Sequence, residues 1–411
     1  MRNLFRDRNF IKLCLAAFLM CSTMEFIWIA LPFIIKAMKG SDMAVGLCVT
    51  AQMGTYVFFC ILAGLIIDKF KPHKLLLFSS ASQLFVILCF FATVWFGIKG
   101  QVCAVNPVVI LTTLMALTGI NTAFFWPVMM GWVSTGSEGA ELSKRFGFYN
   151  TTWGIATMIT PVIAGYLVEV NYTLPILAAV ITSILCFVLI ASSKYSHKTP
   201  SIQLCPTEQI DLNEIQYNKT AFVWIARVAL LIIFICIGIF SSQVCILYKF
   251  ELGFAESIYG WSISIMCFLN ATVFYIVGKS HWWHYKKTPF AVGTAAILLS
   301  MLIILLSKSV AMQFLAAAIT GICYALAYSS HQYYGVSGGK KRSGLMAIHE
   351  IIIGIGVSIG ALFGGILSDT FGRYTPYKFA CILISVAAIV QIILWFSLRK
   401  KMVLKNLNGT F

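Results

Sequence analysis

The chain of 411 residues is 60% hydrophobic and only 11% charged, whereas an average soluble domain is about 25% charged. This composition excludes a soluble globular protein and predicts an integral membrane protein with room for around twelve spans of about 20 residues. The net charge of +16 does not indicate a nucleic-acid partner. The basic residues lie in short loops between apolar runs, as in a membrane protein, rather than in a stripe with exposed aromatic residues, so we expect no nucleic-acid partner.

Twelve apolar segments follow one another along the chain and predict an all-α membrane fold with twelve transmembrane helices. Their approximate bounds are 12–36, 44–67, 74–97, 104–133, 145–168, 172–192, 221–248, 255–278, 288–307, 309–337, 343–368 and 376–398. The first segment is too long for the core of a signal peptide, so we expect a retained span. The long polar break at 193–220 is expected to link two six-helix bundles, residues 1–192 and 221–411.

The basic residues are distributed unequally between the two sets of loops, and this predicts the orientation. The termini, the linker and the loops on their side hold 22 Lys and Arg, the opposite loops hold 7, and Arg227 lies within a span. The positive-inside rule therefore predicts that both termini and the linker are cytoplasmic. The expected location is the cell membrane, either a plasma membrane or a bacterial inner membrane.

An internal repeat with an offset of about 200 residues supports two similar halves. The tripeptide TGI at 118–120 in segment 4 is matched by TGI at 320–322 in segment 10. Segments 5 and 11 end in the related sequences AGYLVE and GGILSD. Two parallel halves of six helices, each built from three-helix units, are the plan of many secondary transporters.

The loop after segment 2, GLIIDKFKPHKLL, resembles the signature loop of the major facilitator superfamily. Gly64, Asp68 and Lys69 match its glycine, acid and base. In that family this loop closes and then releases the cytoplasmic side, so the resemblance implies a gating role for the three residues. It also implies two bundles that rock around a midplane site for a small-molecule solute. We expect a monomer in the lipid bilayer that uses no cofactor.

Glu25 is the only charge in the 23-residue stretch LCLAAFLMCSTMEFIWIALPFII. An acid near the middle of a span costs roughly 3 kcal/mol or more. Loss of hydration favours the neutral acid, which could load and release a proton as water access alternates. The resemblance places the first helix on the central cavity, so we hypothesise that Glu25 couples protons or binds substrate. The alternative is a permanently neutral acid that hydrogen-bonds a neighbouring helix.

A second polar set lies in the C-terminal half: Arg227 in segment 7, His331 in segment 10, and His349 with Glu350 in segment 11. At 1.5 Å per residue, each lies roughly 8 to 10 Å inside its cytoplasmic end, so the residues could meet. A pair between Arg227 and Glu350 would offset the cost of both charges, and His331 could exchange protons near neutral pH. We hypothesise a proton relay or a cytoplasmic gate. The alternative is a static pair near the headgroups.

Polar and aromatic residues inside the spans are candidates for the cavity lining. Amides bind hydroxyl groups and aromatic faces stack on flat or sugar-like surfaces, which suits hydroxylated or mixed-polarity solutes. The alternatives are amides that join helices and tryptophans that anchor span ends. The candidates are Trp28, Gln52, Asn121, Trp126, Asn150, Trp153, Gln243, Asn270, Tyr324, Tyr328 and Gln332. Trp126 and Trp153 are the preferred members.

These features together predict proton-coupled transport of a small polar or amphipathic organic solute. One alternative is a drug or metabolite exporter that exchanges solute for protons, although segment 4 lacks the arginine that drug–proton antiporters carry there. Another is a solute sensor that does not transport, which the short linker and tails disfavour. The thirteen cysteines are scattered without a C-x-x-C pair and predict no metal site. Phosphate-loop and zinc-protease motifs are also absent, so we expect no enzyme activity.

Overall fold

The computed structural model describes residues 7–67, 70–98, 106–134, 139–194, 212–279, 282–283, 286–336 and 342–407. All regular secondary structure within these ranges is helical. The helices are α1 Arg8–Ala37, α2 Asp42–Ile66, α3 Pro72–Ile98, α4 Pro107–Ser134, α5 Gly139–Val170, α6 Thr173–Ala191, α7 Leu212–Ile239, α8 Cys245–Phe250, α9 Glu256–Lys279, α10 Thr288–Leu306, α11 Val310–Val336, α12 Arg342–Phe371 and α13 Thr375–Leu407. A π-helical turn, Phe240–Val244, joins α7 to α8.

The predicted twelve spans are confirmed. Helices α7 and α8 and the π turn between them form one apolar span, Thr220–Phe250, so the described residues contain twelve helical segments long and apolar enough to cross a membrane. Side chains such as Leu65 and Phe78 are exposed on the outer surface of the bundle. In a bilayer such apolar side chains contact lipid, while the helices satisfy their own backbone hydrogen bonds.

We divide the helices at the predicted linker and call α1–α6 the N-terminal half and α7–α13 the C-terminal half. In the first, α1 packs against α5 and α6, and α4 packs against α2 and α3. In the second, α7 packs against α12 and α13, and α11 packs against α9 and α10. The halves meet through α2 with α12 and through α5 with α9. Residues 195–211 of the predicted linker lie outside the described residues, and α7 already begins at Leu212.

The backbones of the two halves are in close contact at one end of the bundle, and nearer the other end there is open space beside Gly154 of α5. We call the end where α1 begins and α13 ends the termini end, and the opposite end the distal end. Near the distal end, a side chain added at Gly46 would clash with the backbone of Ala361, and one at Gly260 with the backbone of Pro161. Gly154 lies on the same face of α5, nearer the termini end, and a Cβ there would meet no atom within 4 Å. Glycines thus permit backbone-to-backbone packing of the two halves at the distal end, whereas Gly354 of α12 meets the side chain of Val57 on α2 nearer the middle of the bundle.

A polar network joins the halves at the distal end. Asp42, the first residue of α2, accepts hydrogen bonds from Lys36 Nζ at 2.7 Å, from Ser368 Oγ at 2.7 Å and from Arg373 Nε at 3.2 Å. The last two donors belong to the C-terminal half. The carboxylate of Asp369 also accepts from the backbone N–H groups of Asp42 at 2.7 Å and Met43 at 2.8 Å. The end of α12 therefore caps the N-terminus of α2 in the other half.

The related ends of α5 and α12 act in the same way. Glu169, the acid of AGYLVE, accepts a hydrogen bond from the backbone N–H of Ser257 in the first turn of α9 at 2.9 Å. Asp369, the acid of GGILSD, caps α2 as described above. The internal repeat thus supplies one carboxylate from each half to a helix N-terminus of the other half. Both caps lie at the distal end.

Candidate solute cavity

A cavity of about 190 Å³ lies between α1, α2 and α4 of the N-terminal half. Its lining residues are Cys21, Met24, Trp28, Gln52, Met53, Tyr56, Thr122 and Trp126. Three of the candidates from the sequence, Trp28, Gln52 and Trp126, are therefore brought together. Pockets for drug-sized ligands usually measure about 300–1,000 Å³, so this cavity suits a smaller molecule.

Gln52 is fixed within the cavity by an interhelical hydrogen bond. Its side chain is 1% exposed, and Trp28 Nε1 of α1 donates to Gln52 Oε1 of α2 at 2.6 Å. An indole N–H can only donate, so the bond assigns the oxygen of the carboxamide to Trp28. The hydroxyl group of Thr122 is also fixed, because it donates a hydrogen bond to the carbonyl of Thr118 at 2.9 Å within α4. The polar atoms of this wall therefore have defined orientations.

Glu25 lies beside this cavity, between the two halves. It is 6% exposed and follows the lining residue Cys21 by one helical turn. Its titratable neighbours include Cys21 and, from α9 of the C-terminal half, Cys267 and Tyr259. No described residue donates a hydrogen bond or forms an ion pair with the Glu25 carboxyl group. A charged carboxylate is costly to bury without a partner.

Two buried histidines form a pair in the C-terminal half. His331 Nδ1 of α11 and His349 Nδ1 of α12 are 2.8 Å apart. A hydrogen bond between two ring nitrogens needs one protonated and one unprotonated nitrogen, so the two Nδ1 atoms share one proton. Neither Nε2 atom has a partner in the described part of the chain. The ring of Tyr328 packs edge-on against His349, with centroids 4.4 Å apart.

Arg227 and Glu350 do not form an ion pair within the described residues of this conformation. Arg227 stacks over Trp224 at 4.7 Å, and its Nε atom has no partner there. Glu350 instead neighbours Tyr56 and Cys60 of α2, in the other half. Within the C-terminal polar set, His331 and His349 are therefore in contact. The pairing of Arg227 with Glu350 stays a prediction.

Two of the other predicted polar residues bond at helix interfaces. Asn121 Nδ2 donates to Gln83 Oε1 at 3.2 Å and so links α4 to α3. Gln243 lies in the π turn at the distal end, where its Nε2 donates to the carbonyl oxygen of Asp42 at 3.4 Å. Asn270 is buried on α9. These residues do not line the cavity.

The remaining candidates have separate locations. Tyr324 packs between Phe234, at 5.0 Å between ring centroids, and Tyr328, at 5.9 Å. Trp153 is partly buried against the core, and Gly64 lies in the last turns of α2. Asp68 and Lys69, and the side chains of Asn150 and Gln332, lie outside the described residues.

Sequence reasoning missed five of the lining residues, Cys21, Met24, Met53, Tyr56 and Thr122. Tyr56 follows Gln52 by four positions and therefore shares its face of α2, a spacing that could have identified it. Among the described residues, no group of three or more His, Cys, Asp and Glu side chains could hold a metal ion. The contact between His331 and His349 brings together only two ring nitrogens as potential metal ligands.

Solved structures of transporters share this fold over nearly the whole chain. A point mutant of the nucleoside transporter NupG has a TM-score of 0.73 at 11% identity, with 94% of this chain and 100% of that chain covered. A bacterial homologue of the human lysosomal transporter Spinster, inward-facing and unoccupied, has a TM-score of 0.71 at 13% identity, with 98% of each chain covered. A POT family transporter in complex with 5-aminolevulinic acid also reaches 0.71, at 14% identity, with 96% of each chain covered.

At these identities the likeness shows the fold alone. A search of curated proteins found no match. The sequence model of the Major Facilitator Superfamily matches residues 13–338, which is more than half of the chain. The chain therefore belongs to the Major Facilitator Superfamily.

Proposed function

We propose that this chain is a proton-coupled secondary transporter of a small polar or amphipathic organic solute. The observation that carries the proposal is the position of Glu25. It is a buried acid without a described partner, one helical turn from a lining residue of a solute-sized cavity, and it neighbours α9 of the opposite half. A carboxyl group in this position can respond both to solute binding and to movement of the halves.

Alternating access supplies the cycle. With the termini in the cytoplasm, as the basic residues predict, the contacts at the distal end close the outer side and the cell-interior side is the open one. The conformation is then inward-facing. Rocking the halves apart at the distal end would expose the cavity to the opposite side. The family's transporter fold, the close contacts at the distal end and the open space beside Gly154 support this cycle.

The proton and the solute would act on neighbouring sites. A protonated Glu25 is neutral and can remain in a closed, water-poor state at a low electrostatic cost. When the cavity opens to water, the carboxyl group can release its proton and become hydrated. Cys21 lines the cavity and also neighbours Glu25, so a solute bound in the cavity changes the surroundings of the carboxyl group directly. This proximity supplies the coupling between the two.

The C-terminal cluster is proposed to act on the cytoplasmic side. The hydrogen-bonded histidines can pass a proton between their rings, and Arg227 is an electrostatic neighbour of His331. Glu350 lies against α2, so movement between the halves changes its surroundings. We assign Arg227, His331 and Glu350 to this network, in a monomer of the cell membrane.

Proton release on solute addition tests the proposal. The purified protein would be mixed with sugars, nucleosides, amino acids or cationic dyes in a weakly buffered solution containing a pH indicator. The expected result is release in the wild type that is lost in Glu25→Gln and retained in Glu256→Gln. Glu256 is as buried as Glu25, and its ion pair with Lys249, at 2.9 Å, lies within the C-terminal half. A solute that binds equally to the wild type and Glu25→Gln without any proton change would overturn the proposal.

A further inference from the structure

We infer that Gln52, held by Trp28, selects the solute by donating a hydrogen bond to an acceptor atom on a small flat ring. The inference rests on the proposed function, because it takes the cavity to be the site of the transported solute. It adds the chemical class of that solute: a planar molecule with a carbonyl oxygen or a ring nitrogen at its edge.

The first step is the direction of the carboxamide. Trp28 Nε1 occupies Gln52 Oε1 at 2.6 Å, which leaves the Nε2 atom with two N–H donors. No described residue accepts a hydrogen bond from Nε2. This atom is also not among the fully buried polar atoms that lack a partner, so it has access to the cavity that Gln52 lines.

The second step is the balance of donors and acceptors around the cavity. Trp126 Nε1 has no described partner, and an indole nitrogen can only donate. The hydroxyl proton of Thr122 is already used within α4. Three N–H donors of this wall therefore lack a described partner, two from Gln52 and one from Trp126, while the hydroxyl of Tyr56 bonds with Cys60 and can both donate and accept. A complementary solute presents acceptors to the three donors.

The third step is the shape of the cavity. Trp28, Tyr56 and Trp126 supply three aromatic rings to its wall, and aromatic faces favour stacking with other flat rings. The volume of about 190 Å³ is below the usual range for drug-sized ligands. These dimensions favour a compact ring system whose acceptors lie in the plane of the ring.

Discrimination follows from the burial of the carboxamide. A flat ring without an acceptor would fill the cavity but leave the Nε2 donors unpaired and removed from water. A site built to hydrogen-bond its substrate rejects an analogue without the bonding group for this reason. One such bond is worth about a tenfold difference in affinity.

Three small probes separate shape from hydrogen bonding. Uracil is flat and carries two carbonyl acceptors, and dihydrouracil keeps the carbonyls on a puckered ring. Phenol is flat and offers only a hydroxyl oxygen, which is a weaker acceptor than a carbonyl. Their binding to the purified full-length protein would be measured by equilibrium dialysis. We expect uracil to bind about tenfold more tightly than phenol, because of the hydrogen bond, and more tightly than dihydrouracil, because a puckered ring stacks less well on the aromatic wall.

Three variants test the residues. Gln52→Leu is expected to remove the preference for uracil over phenol while leaving phenol binding unchanged. Trp28→Phe keeps an aromatic ring but loses the positioning bond, so it should give an intermediate preference. Gln391→Leu is the matched control on α13. Gln391 also accepts one hydrogen bond through Oε1, from Thr294 Oγ1 at 3.3 Å, and its Nε2 is buried without a described partner.

The inference is overturned if uracil does not bind, if it binds no better than phenol, or if Gln52→Leu keeps the preference. Should Gln52→Leu fail to fold, the wild-type comparison and Trp28→Phe decide. The proton measurement on Glu25→Gln is independent. If uracil binds in a Gln52-dependent way without proton release, only the coupling proposal is refuted. If another solute releases protons and uracil is not preferred, only this inference is refuted.

Discussion

Removing the carboxylate of Asp369 is expected to shift the protein away from the conformation described here. The side chain makes two bonds, at 2.7 and 2.8 Å, to backbone N–H groups at the N-terminus of α2. Loss of an N-cap costs about 1 kcal/mol, and loss of a negative charge at a helix N-terminus costs a further 0.3–1 kcal/mol or so. Ser41 still caps α2 from its own half, so the loss falls on the contact between the halves.

The sum of about 1.3–2 kcal/mol corresponds to a roughly 10- to 30-fold change in the ratio of the two conformations. A wild-type ratio of about 99 to 1 would become between about 10 to 1 and about 3 to 1 in Asp369→Ala. Fluorescent amino acids at the exposed positions Asn171 and Lys308 would report the separation of the halves at the distal end by single-molecule energy transfer, without disturbing the native cysteines. The variant should populate a second, longer distance.

Thr370→Ala is the control for this experiment. The neighbouring threonine bonds only within α12, to the carbonyl of Ile366 at 2.8 Å, so its removal should leave the distances unchanged. The reasoning is refuted if Asp369→Ala folds normally and shows the same distance distribution as the wild type. It is also refuted if both variants shift equally, because the effect would then belong to α12 rather than to the contact.

Other predictions follow from the same contacts. Glu169→Ala should shift the distance distribution in the same direction as Asp369→Ala but by less, since it loses one interhalf bond rather than two; an unchanged distribution would contradict this. Asn121→Leu should lower the free energy of unfolding by about 1–2 kcal/mol, because it loses the bond to Gln83, and should leave solute affinity unchanged. A loss of affinity without a loss of stability would place Asn121 in the solute site instead. His349→Leu should destabilise the protein by about 1–3 kcal/mol, because it breaks the ring-to-ring bond and leaves a buried nitrogen unpaired. Thermal unfolding that matches the wild type would count against that bond.

The twelve spans could be predicted because apolar runs separated by basic loops have few other stable arrangements in a bilayer. Glu25, Trp28 and Gln52 could be identified as candidates from the sequence as well, because polar side chains inside a membrane span are costly and therefore point to a function. Their mutual contacts were not, because a hydropathy pattern gives depth but not the direction of a side chain around its helix.

The C-terminal cluster shows this limit. The sequence predicts a similar depth for Arg227 and Glu350, so the two residues could meet. Successive residues of a helix point about 100° apart, so when His349 faces His331 on α11, Glu350 is directed elsewhere and neighbours α2. The distal network depends on a contact between Asp42 and Asp369, which are 327 positions apart. Local patterns carry no information about such a pairing.

Solute uptake into liposomes under an imposed proton gradient tests the central claim most directly. The purified protein would be reconstituted, and accumulation of a solute identified in the binding screen would be followed with and without a protonophore. The account predicts gradient-driven accumulation in the wild type that the protonophore abolishes, and solute exchange without accumulation in Glu25→Gln. Wild-type transport that ignores the gradient, or full accumulation in Glu25→Gln, would contradict it.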